Sequence, residues 1–293
     1  MTEPRLEHVA CLDASGLHRM AYWEWGERDN PDVVVCVHGL TRQGRDFDTL
    51  ARALAGARRV ICPDVVGRGR SDWLRDPMGY QIPTYVADMV TLLARLGVRA
   101  VDWVGTSMGG LIGLGLASLR DPDGAALVRR LVLNDVGPAI RAEAVQRIGS
   151  YVGAPKRFAS LDEAADYLWT LSTGFGPHSR EQWLALTRPQ IKPDGDGFLP
   201  HYDPRIGLPF KAVTPELAAA GEALLWQRYD MITCPTLLIR GAESDLLAHD
   251  TAIAMTQRGP KPRLVELPGI GHAPTLVADA QVALVREFLL DGP

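Results

Sequence analysis

Ser107 occupies the centre of a segment of small residues, Gly105-Thr106-Ser107-Met108-Gly109-Gly110, which follows the apolar run Val101-Asp102-Trp103-Val104. The spacing glycine-x-serine-x-glycine is typical of a sharp turn from a strand into a helix, where the serine is held in a strained conformation above the sheet. A serine hydroxyl becomes nucleophilic when a neighbouring base takes its proton and hydrogen-bond donors stabilise the oxyanion that forms. The segment therefore predicts Ser107 as a nucleophile, which needs a base, an acid and an oxyanion hole from the rest of the chain.

His272 is the predicted base, because it lies in the glycine-rich loop Pro268-Gly269-Ile270-Gly271-His272 that leaves the last predicted strand. The carboxyl ends of parallel strands share one edge of a sheet, so we expect this loop and Ser107 to meet there. An imidazole with an unperturbed pKa of about 6.5 takes and returns a proton around neutral pH. His249 competes for this role, but its place at a predicted helix start favours a capping or surface position.

The acid that orients the base has three candidates. Asp245 follows the penultimate predicted strand by four residues and is preferred, because that strand precedes the strand of His272 in the chain. Asp135 follows the strand after the Ser107 helix and is the rival; its other possible role is to fix the entry to the inserted segment. Glu243 is a third, weaker candidate.

Two backbone N–H groups are predicted to form the oxyanion hole. Met108 follows the nucleophile and begins a helix, where free N–H groups and the helix dipole favour negative charge. Leu40 belongs to the segment Val37-His38-Gly39-Leu40 directly after a β-branched run, and the glycine allows the backbone to turn in closely. His38 is then a structural histidine that bonds its own loop.

These residues must be positioned by a regular framework, and the chain alternates apolar runs typical of buried strands with segments typical of helices. Strands are predicted at residues 6–12, 18–25, 33–37, 59–63, 101–104, 131–133, 235–241 and 263–267. Helices are predicted at residues 46–55, 82–96, 108–119, 250–257 and 276–290. The first two strands are antiparallel, and the alternation that follows predicts an α/β fold with a mostly parallel sheet covered by helices on both faces.

Residues 138–230 differ from the rest of the chain in their sequence pattern. They contain no apolar run typical of a buried strand, and they are rich in Ala, Trp and Tyr. Helices are predicted at residues 160–173 and 214–229, whereas the proline-rich residues 192–209 are predicted to be a loop. We therefore expect a helical cap over residues 138–230, inserted into a core of residues 1–137 plus 231–293. Trp169, Phe175, Trp183 and Trp226 are candidates either for an apolar pocket or for simple packing.

Composition excludes several classes of function. The net charge of −4 gives no reason to expect a nucleic-acid partner. The four cysteines lack the paired spacing of a metal site, which favours buried, reduced thiols in a reducing compartment. No apolar run is long enough to span a bilayer, and the polar residues 1–5 precede no apolar signal segment. A cytoplasmic protein without a membrane partner is expected.

Taken together, these residues make the chain resemble the α/β-hydrolase superfamily over essentially its full length. The resemblance also rests on Asp64-x-x-Gly67-x-Gly69-x-Ser71 and on the chain order serine, aspartate, histidine. It implies an eight-stranded sheet, a helical cap between the sixth and seventh strands, and no metal or organic cofactor. Carried over by position, Ser107 is the nucleophile, His272 the base and Asp245 the acid, with Leu40 and Met108 donating to the oxyanion.

The resemblance favours a carboxylic-ester hydrolase acting on a small, apolar ester through an acyl-enzyme. A serine at position 107 argues against dehalogenases and epoxide hydrolases of this superfamily, which attack with a carboxylate. A hydrolase of carbon–carbon bonds or an enol-lactonase is the alternative; Arg42 would then meet a substrate carboxylate, although an ordinary surface arginine is the simpler interpretation. A non-catalytic receptor on the same fold is the remote alternative.

Overall fold

The structure of the protein, a computed structural model, describes residues 3–290. Met1 and Thr2, which open the polar N-terminal segment, and the last three residues lie outside the described part. The strands are β1 (Arg5–Asp13), β2 (Gly16–Trp25), β3 (Val33–Val37), β4 (Arg59–Asp64), β5 (Val101–Thr106), β6 (Val128–Asn134), β7 (Ile191–Asp194), β8 (Gly197–Pro200), β9 (Thr236–Gly241) and β10 (Arg263–Leu267).

Helices alternate with these strands. They are α1 (Asp48–Leu54), α2 (Ile82–Leu96), α3 (Met108–Ala117), α4 (Ala142–Tyr151), α5 (Leu161–Leu171), α6 (Arg180–Thr187), α7 (Leu208–Lys211), α8 (Pro215–Asp230), α9 (His249–Gln257) and α10 (Asp279–Leu290). None of the helices within residues 3–290 is long and apolar enough to cross a membrane.

Eight strands form one sheet in the order β1-β2-β4-β3-β5-β6-β9-β10. The pairs β1–β2 and β2–β4 are antiparallel, and all later neighbours are parallel. The predicted eight-stranded, mostly parallel sheet is therefore confirmed. Its carboxyl edge gathers the ends of β3, β5, β6, β9 and β10, which is where ligands bind in open α/β sheets.

The centre of the sheet is buried on both faces, as its continuous apolar runs predict. In β3, Val33, Val35 and Val37 pack with α2 and α3, while Val34 and Cys36 pack with α1 and α10 on the opposite face. All five side chains are inaccessible to solvent. This two-sided burial fixes the register of β3, because a shift by one residue would exchange the two faces.

The segment between β6 and β9 contains helices α4 to α8 and a separate two-stranded hairpin of β7 and β8. The prediction of a loop over residues 192–209 is wrong in its first part, since the hairpin turns at Gly195, whose φ of 58° suits glycine. Helices α4 and α6 lie in the predicted cap but were not predicted individually. The carboxyl-terminal part of α8 packs on the main core through Trp226 and Tyr229, and the division at residues 138 and 230 stays a prediction.

Candidate active site

Ser107 sits in the turn between β5 and α3 with φ 52° and ψ −117°. A positive φ is costly for a residue with a Cβ and is kept only where surrounding contacts enforce it. Here the Ser107 N–H donates to the carbonyl oxygen of Asn134 at 3.0 Å, and the Ser107 carbonyl accepts from Gly110 at 2.8 Å. The predicted strand–turn–helix around the serine is therefore present, and it directs the hydroxyl away from the sheet.

The glycines of the motif permit close approach of backbone segments. A Cβ atom at Gly109 would lie 1.9 Å from the carbonyl oxygen of Val37, and one at Gly105 would lie 2.3 Å from the carbonyl oxygen of Gly109. Trp103 supports the same turn, because its indole N–H donates to the Gly109 carbonyl at 3.0 Å. These contacts pack the start of α3 directly against the end of β3.

His272 lies beside the serine, as the sequence predicts. Its Nε2 is 2.9 Å from the Ser107 Oγ, and its side chain is 11% exposed, so that one edge of the imidazole faces the cleft. The loop of His272 is braced on two sides: Gly271 donates to the Gly174 carbonyl at 2.6 Å, and the Asn134 amide donates to the Pro274 carbonyl at 2.8 Å.

Asp135 follows β6 and holds the other nitrogen of the imidazole. Its Oδ2 accepts from His272 Nδ1 at 2.7 Å and from the Ser244 hydroxyl at 2.7 Å, and its Oδ1 accepts from the Gly241 N–H at 2.9 Å. The side chain is fully buried and the residue has a φ of 57°, a conformation that aspartate tolerates better than most residues. Ser107, His272 and Asp135 thus form one continuous chain of hydrogen bonds.

The prediction that Asp245 orients the histidine is wrong. The Asp245 carboxylate is half-exposed and pairs instead with Arg147 of α4 at 2.7 Å. The loop after β9 carries Asp245 away from the sheet edge, whereas Asp135 stands directly at the end of β6, the neighbour of the serine strand. Glu243 is exposed, and His249 pairs with Glu266 at 3.1 Å.

The segment His38-Gly39-Leu40 lies against the serine, since a Cβ atom at Gly39 would be 3.7 Å from the Ser107 Cβ. His38 Nδ1 donates to the Gly39 carbonyl at 2.7 Å, and His38 Nε2 accepts from the Val65 N–H at 3.0 Å. Complete burial lowers the pKa of His38 to about 3, so the ring is neutral and both nitrogens are used. The interpretation of His38 as a structural residue is confirmed.

Comparisons with known proteins identify the family of the chain. A model of the alpha/beta hydrolase family matches residues 34–285. The chain belongs to the α/β-hydrolase family. Its fold and its class as a hydrolase, both predicted from the sequence, are confirmed.

Three individual proteins illustrate the similarity. The 3-hydroxybutyrate-oligomer hydrolase of Cupriavidus necator is 54% identical over 290 residues, with 97% of each chain covered. The 2-hydroxymuconate semialdehyde hydrolase of a Pseudomonas species is 29% identical over 243 residues, which cover 82% of this chain and 79% of that protein. The solved structure of an alpha/beta hydrolase from Novosphingobium aromaticivorans is 36% identical, has a TM-score of 0.85 and covers 99% of both chains.

Asp64 organises the loop after β4 in this hydrolase and explains the motif Asp64-x-x-Gly67-x-Gly69-x-Ser71. Its buried carboxylate accepts from the Gly44 N–H at 2.8 Å and from the Arg70 N–H at 2.9 Å, and burial raises its pKa to about 6. A Cβ atom at Gly69 would lie 2.3 Å from the Asp64 carboxylate. The motif is thus a structural support, and no member of it contacts Ser107.

Arg68 lies within the same loop and was not singled out by sequence reasoning. Its guanidinium is completely buried; Nε donates to the Leu40 carbonyl at 2.8 Å, Nη1 donates to the Val66 carbonyl at 2.7 Å, and Nη2 lies 3.5 Å from the Met108 sulfur. Within residues 3–290, no carboxylate forms an ion pair with it. One buried cation therefore contacts both residues that are predicted to donate to an oxyanion.

A cavity of about 140 Å³ opens above Ser107. A cavity of about 150 Å³ accommodates benzene in an engineered protein, so this one has room for a group of about six non-hydrogen atoms. His38, Gly39, Leu40 and His272 form its floor. Six aromatic side chains line its walls: Phe47, Tyr151, Phe158, Tyr167, Phe175 and Tyr202.

Of the four aromatic residues predicted to line a pocket or to pack, only Phe175 lines this cavity. Trp183 is buried and packs edge-to-face against Trp169 and Phe175. Trp226 packs edge-to-face against Tyr229, and the guanidinium of Arg258 lies over its ring. The tyrosines of the cavity wall were missed. Periodicity alone does not show that Tyr151 and Tyr167 face inward from their helices, and Tyr202 lies outside any helix or strand.

Arg42 also lines the cavity and is therefore not an ordinary surface residue. It is not a free cation either, because its charge has a partner. Its guanidinium forms an ion pair with Asp46 and lies 5.6 Å from the centre of the Phe175 ring. The Asp46 carboxylate is in turn held by the Gln190 amide at 2.9 Å. This charge is already neutralised within the protein.

One group of possible metal ligands occurs among the described residues, formed by Cys11, His18 and Asp88. His18 Nε2 is 3.0 Å from the Asp88 carboxylate, and none of the three residues lines the cavity above Ser107. All four cysteines are buried and free, as predicted.

Proposed function

We propose that this protein is a serine hydrolase that cleaves carboxylic esters through an acyl-enzyme on Ser107. The observation that carries the proposal is the placement of His272, whose two ring nitrogens lie 2.9 Å from the Ser107 hydroxyl and 2.7 Å from the Asp135 carboxylate. A hydroxyl, an imidazole and a buried carboxylate in this order are the parts that nucleophilic catalysis at neutral pH requires.

In the acylation step, His272 Nε2 takes the proton of Ser107 as Oγ attacks the ester carbonyl carbon. The carboxylate of Asp135 keeps the proton of the neutral ring on Nδ1 and stabilises the imidazolium that forms. When the tetrahedral intermediate collapses, the alkoxide leaves and takes the proton from Nε2. Water then repeats the sequence at the acyl carbon, which releases the acid and restores the serine hydroxyl.

The negative charge on the former carbonyl oxygen is stabilised by the backbone N–H groups of Met108 and Leu40. Met108 stands at the amino terminus of α3, where the helix dipole favours negative charge. Arg68 anchors the Leu40 carbonyl at 2.8 Å and contributes a buried positive charge beside this site. When such a donor is held in place in a water-poor site, its removal lowers kcat by about 10²–10³-fold.

A small ester is the substrate class that these features favour. The relative of 54% identity is named as a hydrolase of 3-hydroxybutyrate oligomers, which are linear esters. The cavity of about 140 Å³ matches one repeating unit of such an oligomer, since that unit has about six non-hydrogen atoms. The cytoplasmic location expected from the sequence stays a prediction.

The test is turnover of p-nitrophenyl acetate and butyrate, with the Ser107→Ala variant as control. We expect turnover by the wild-type protein, stoichiometric labelling of Ser107 by a fluorophosphonate probe, and neither activity nor labelling in Ser107→Ala. Absence of both turnover and labelling in folded wild-type protein would overturn the proposal. A ring-cleavage product hydrolysed much faster than every ester would instead assign the carbon–carbon hydrolase activity.

A further inference from the structure

Lys156 lines the cavity above Ser107 without a negatively charged partner. Its ammonium group lies 4.5 Å from the centre of the Tyr167 ring and 5.8 Å from that of Phe158. Within residues 3–290 it forms neither an ion pair nor a hydrogen bond with another residue. Two aromatic rings therefore hold a half-buried cation at the cavity, and the protein leaves its hydrogen-bonding capacity unused.

The other cations of the cavity are neutralised. Arg42 is paired with Asp46, and Arg147 is paired with Asp245 at 2.7 Å. His38 carries no charge, because its burial keeps the ring neutral. The unpaired Arg68 is buried and does not line the cavity, so Lys156 is the lining cation that has no negatively charged partner among the described residues.

Hydroxyl groups accompany this cation. Tyr151 and Tyr202 line the same cavity, and burial raises the pKa of each phenol, so both remain hydrogen-bond donors at neutral pH. Tyr167, on which Lys156 is stacked, is the third phenol of this wall. An ammonium group with phenol donors is a combination suited to a carboxylate, and it offers little to a purely apolar acyl chain.

We propose that Lys156 binds a carboxylate of the substrate, so that the enzyme prefers esters carrying a free acid group. The proposal rests on the proposed ester hydrolysis and narrows the apolar ester expected from the sequence to an acidic one. Linear oligoesters of hydroxy acids belong to this class, because each molecule ends in one carboxylate. Pairing with that carboxylate satisfies the charge of Lys156 and orients the ester bond relative to Ser107.

The experiment compares kcat/KM for the linear dimer of 3-hydroxybutyrate as the free acid and as its methyl ester. We expect the wild-type enzyme to prefer the free acid by about tenfold, and Lys156→Met to abolish this preference mainly through a higher KM for the acid. Lys156→Arg keeps the positive charge and should retain most of the preference. Lys192→Met is the matched control, because Lys192 stacks on Trp73 at 4.7 Å but does not line the cavity.

A preference that is equal in the wild type and Lys156→Met, or that is lost equally in Lys192→Met, would overturn the proposal. Binding of the free-acid dimer to Ser107→Ala and to Ser107→Ala/Lys156→Met, measured by calorimetry, provides a readout that needs no turnover. If the enzyme hydrolyses p-nitrophenyl butyrate but does not discriminate between the free acid and the methyl ester of the dimer, the role of Lys156 alone is overturned. Failure to hydrolyse any ester defeats the proposed function, and with it the assignment of Lys156.

Discussion

Replacing Asp135 by asparagine tests the chain of hydrogen bonds most directly. Asparagine has nearly the same size and also tolerates the φ of 57°, so the backbone is expected to remain in place. Its amide oxygen can keep the bond to the Gly241 N–H, and its NH₂ group then replaces the oxygen that faced His272 and Ser244. The Ser244 hydroxyl can rotate to accept this donor.

The imidazole cannot adjust in the same way without losing its function. In Asp135→Asn, an NH₂ group takes the position of the Oδ2 atom that faces His272 Nδ1. Nδ1 must then accept a hydrogen bond instead of donating one, so the ring proton moves to Nε2. That proton then points at Ser107 and no base remains. The aspartate-to-asparagine change in a serine protease lowers kcat by about 10⁴ for this reason, which corresponds to about 5.4 kcal/mol at 1.36 kcal/mol per tenfold.

The assay is kcat for p-nitrophenyl butyrate, together with the rate of fluorophosphonate labelling, at pH 7.5. Asp245→Asn is the matched control: it breaks a half-exposed ion pair with Arg147, a class of contact worth about 0–1 kcal/mol, and its kcat should stay within about threefold of wild type. Circular dichroism checks that both variants are folded. The role of Asp135 is refuted if Asp135→Asn keeps a tenth of the wild-type kcat, or if Asp245→Asn loses as much activity as Asp135→Asn.

Three further outcomes are expected. Burial lowers the pKa of His38 to about 3, whereas the unfolded residue titrates at about 6.5. The free energy of unfolding therefore falls by about 1.4 kcal/mol for each pH unit below 6.5. In urea unfolding between pH 6.5 and 4.5, the pH dependence of this free energy should be smaller by that amount in His38→Gln. Gly109→Ala places a Cβ 1.9 Å from the Val37 carbonyl and should abolish activity and lower Tm, whereas Gly221→Ala, with open space in α8, should leave kcat unchanged. Arg68→Met removes the donor to the Leu40 carbonyl and should lower kcat about tenfold, with KM within threefold of wild type. Arg68→Lys should recover part of the lost kcat. Equal kcat for Arg68→Met and wild type would contradict a positioning role.

The framework was predictable because its central strands are buried on both faces. Such strands appear in the sequence as continuous apolar runs, and β3 has the predicted bounds. The edge strand β10 also has the predicted bounds, although its side chains are exposed or half-buried. The hairpin of β7 and β8 has no such signal, because it lies outside the main sheet. Its strands and turn contain two prolines and two glycines, and Ile191 is their one buried side chain. Its pairing depends on tertiary context in the cap.

Ser107 and His272 were identified correctly as neighbours, because each belongs to a local motif at the carboxyl edge of the sheet. Asp135 and Asp245 could not be separated in this way, because both follow strands that end at the same edge. The order of the strands along the chain favoured Asp245. The order of the strands in the sheet favours Asp135, because β6 lies directly between β5 and β9. The useful signal is the distance from the strand end, which is one residue for Asp135 and four for Asp245.

The segment between β6 and β9 both contacts the loop that carries His272 and lines the cavity above Ser107. Gly174 accepts a hydrogen bond from Gly271 at 2.6 Å, and His178 lies 2.8 Å from the Thr275 hydroxyl, so the segment after α5 supports the loop that carries His272. Lys156 and Tyr167 belong to the same cap and line the cavity. Within residues 3–290, Lys156 forms no hydrogen bond with the loop that carries His272. Loss of Lys156 is therefore expected mainly in KM, whereas loss of the contacts of Gly174 and His178 is expected in kcat, because those contacts hold the base in position.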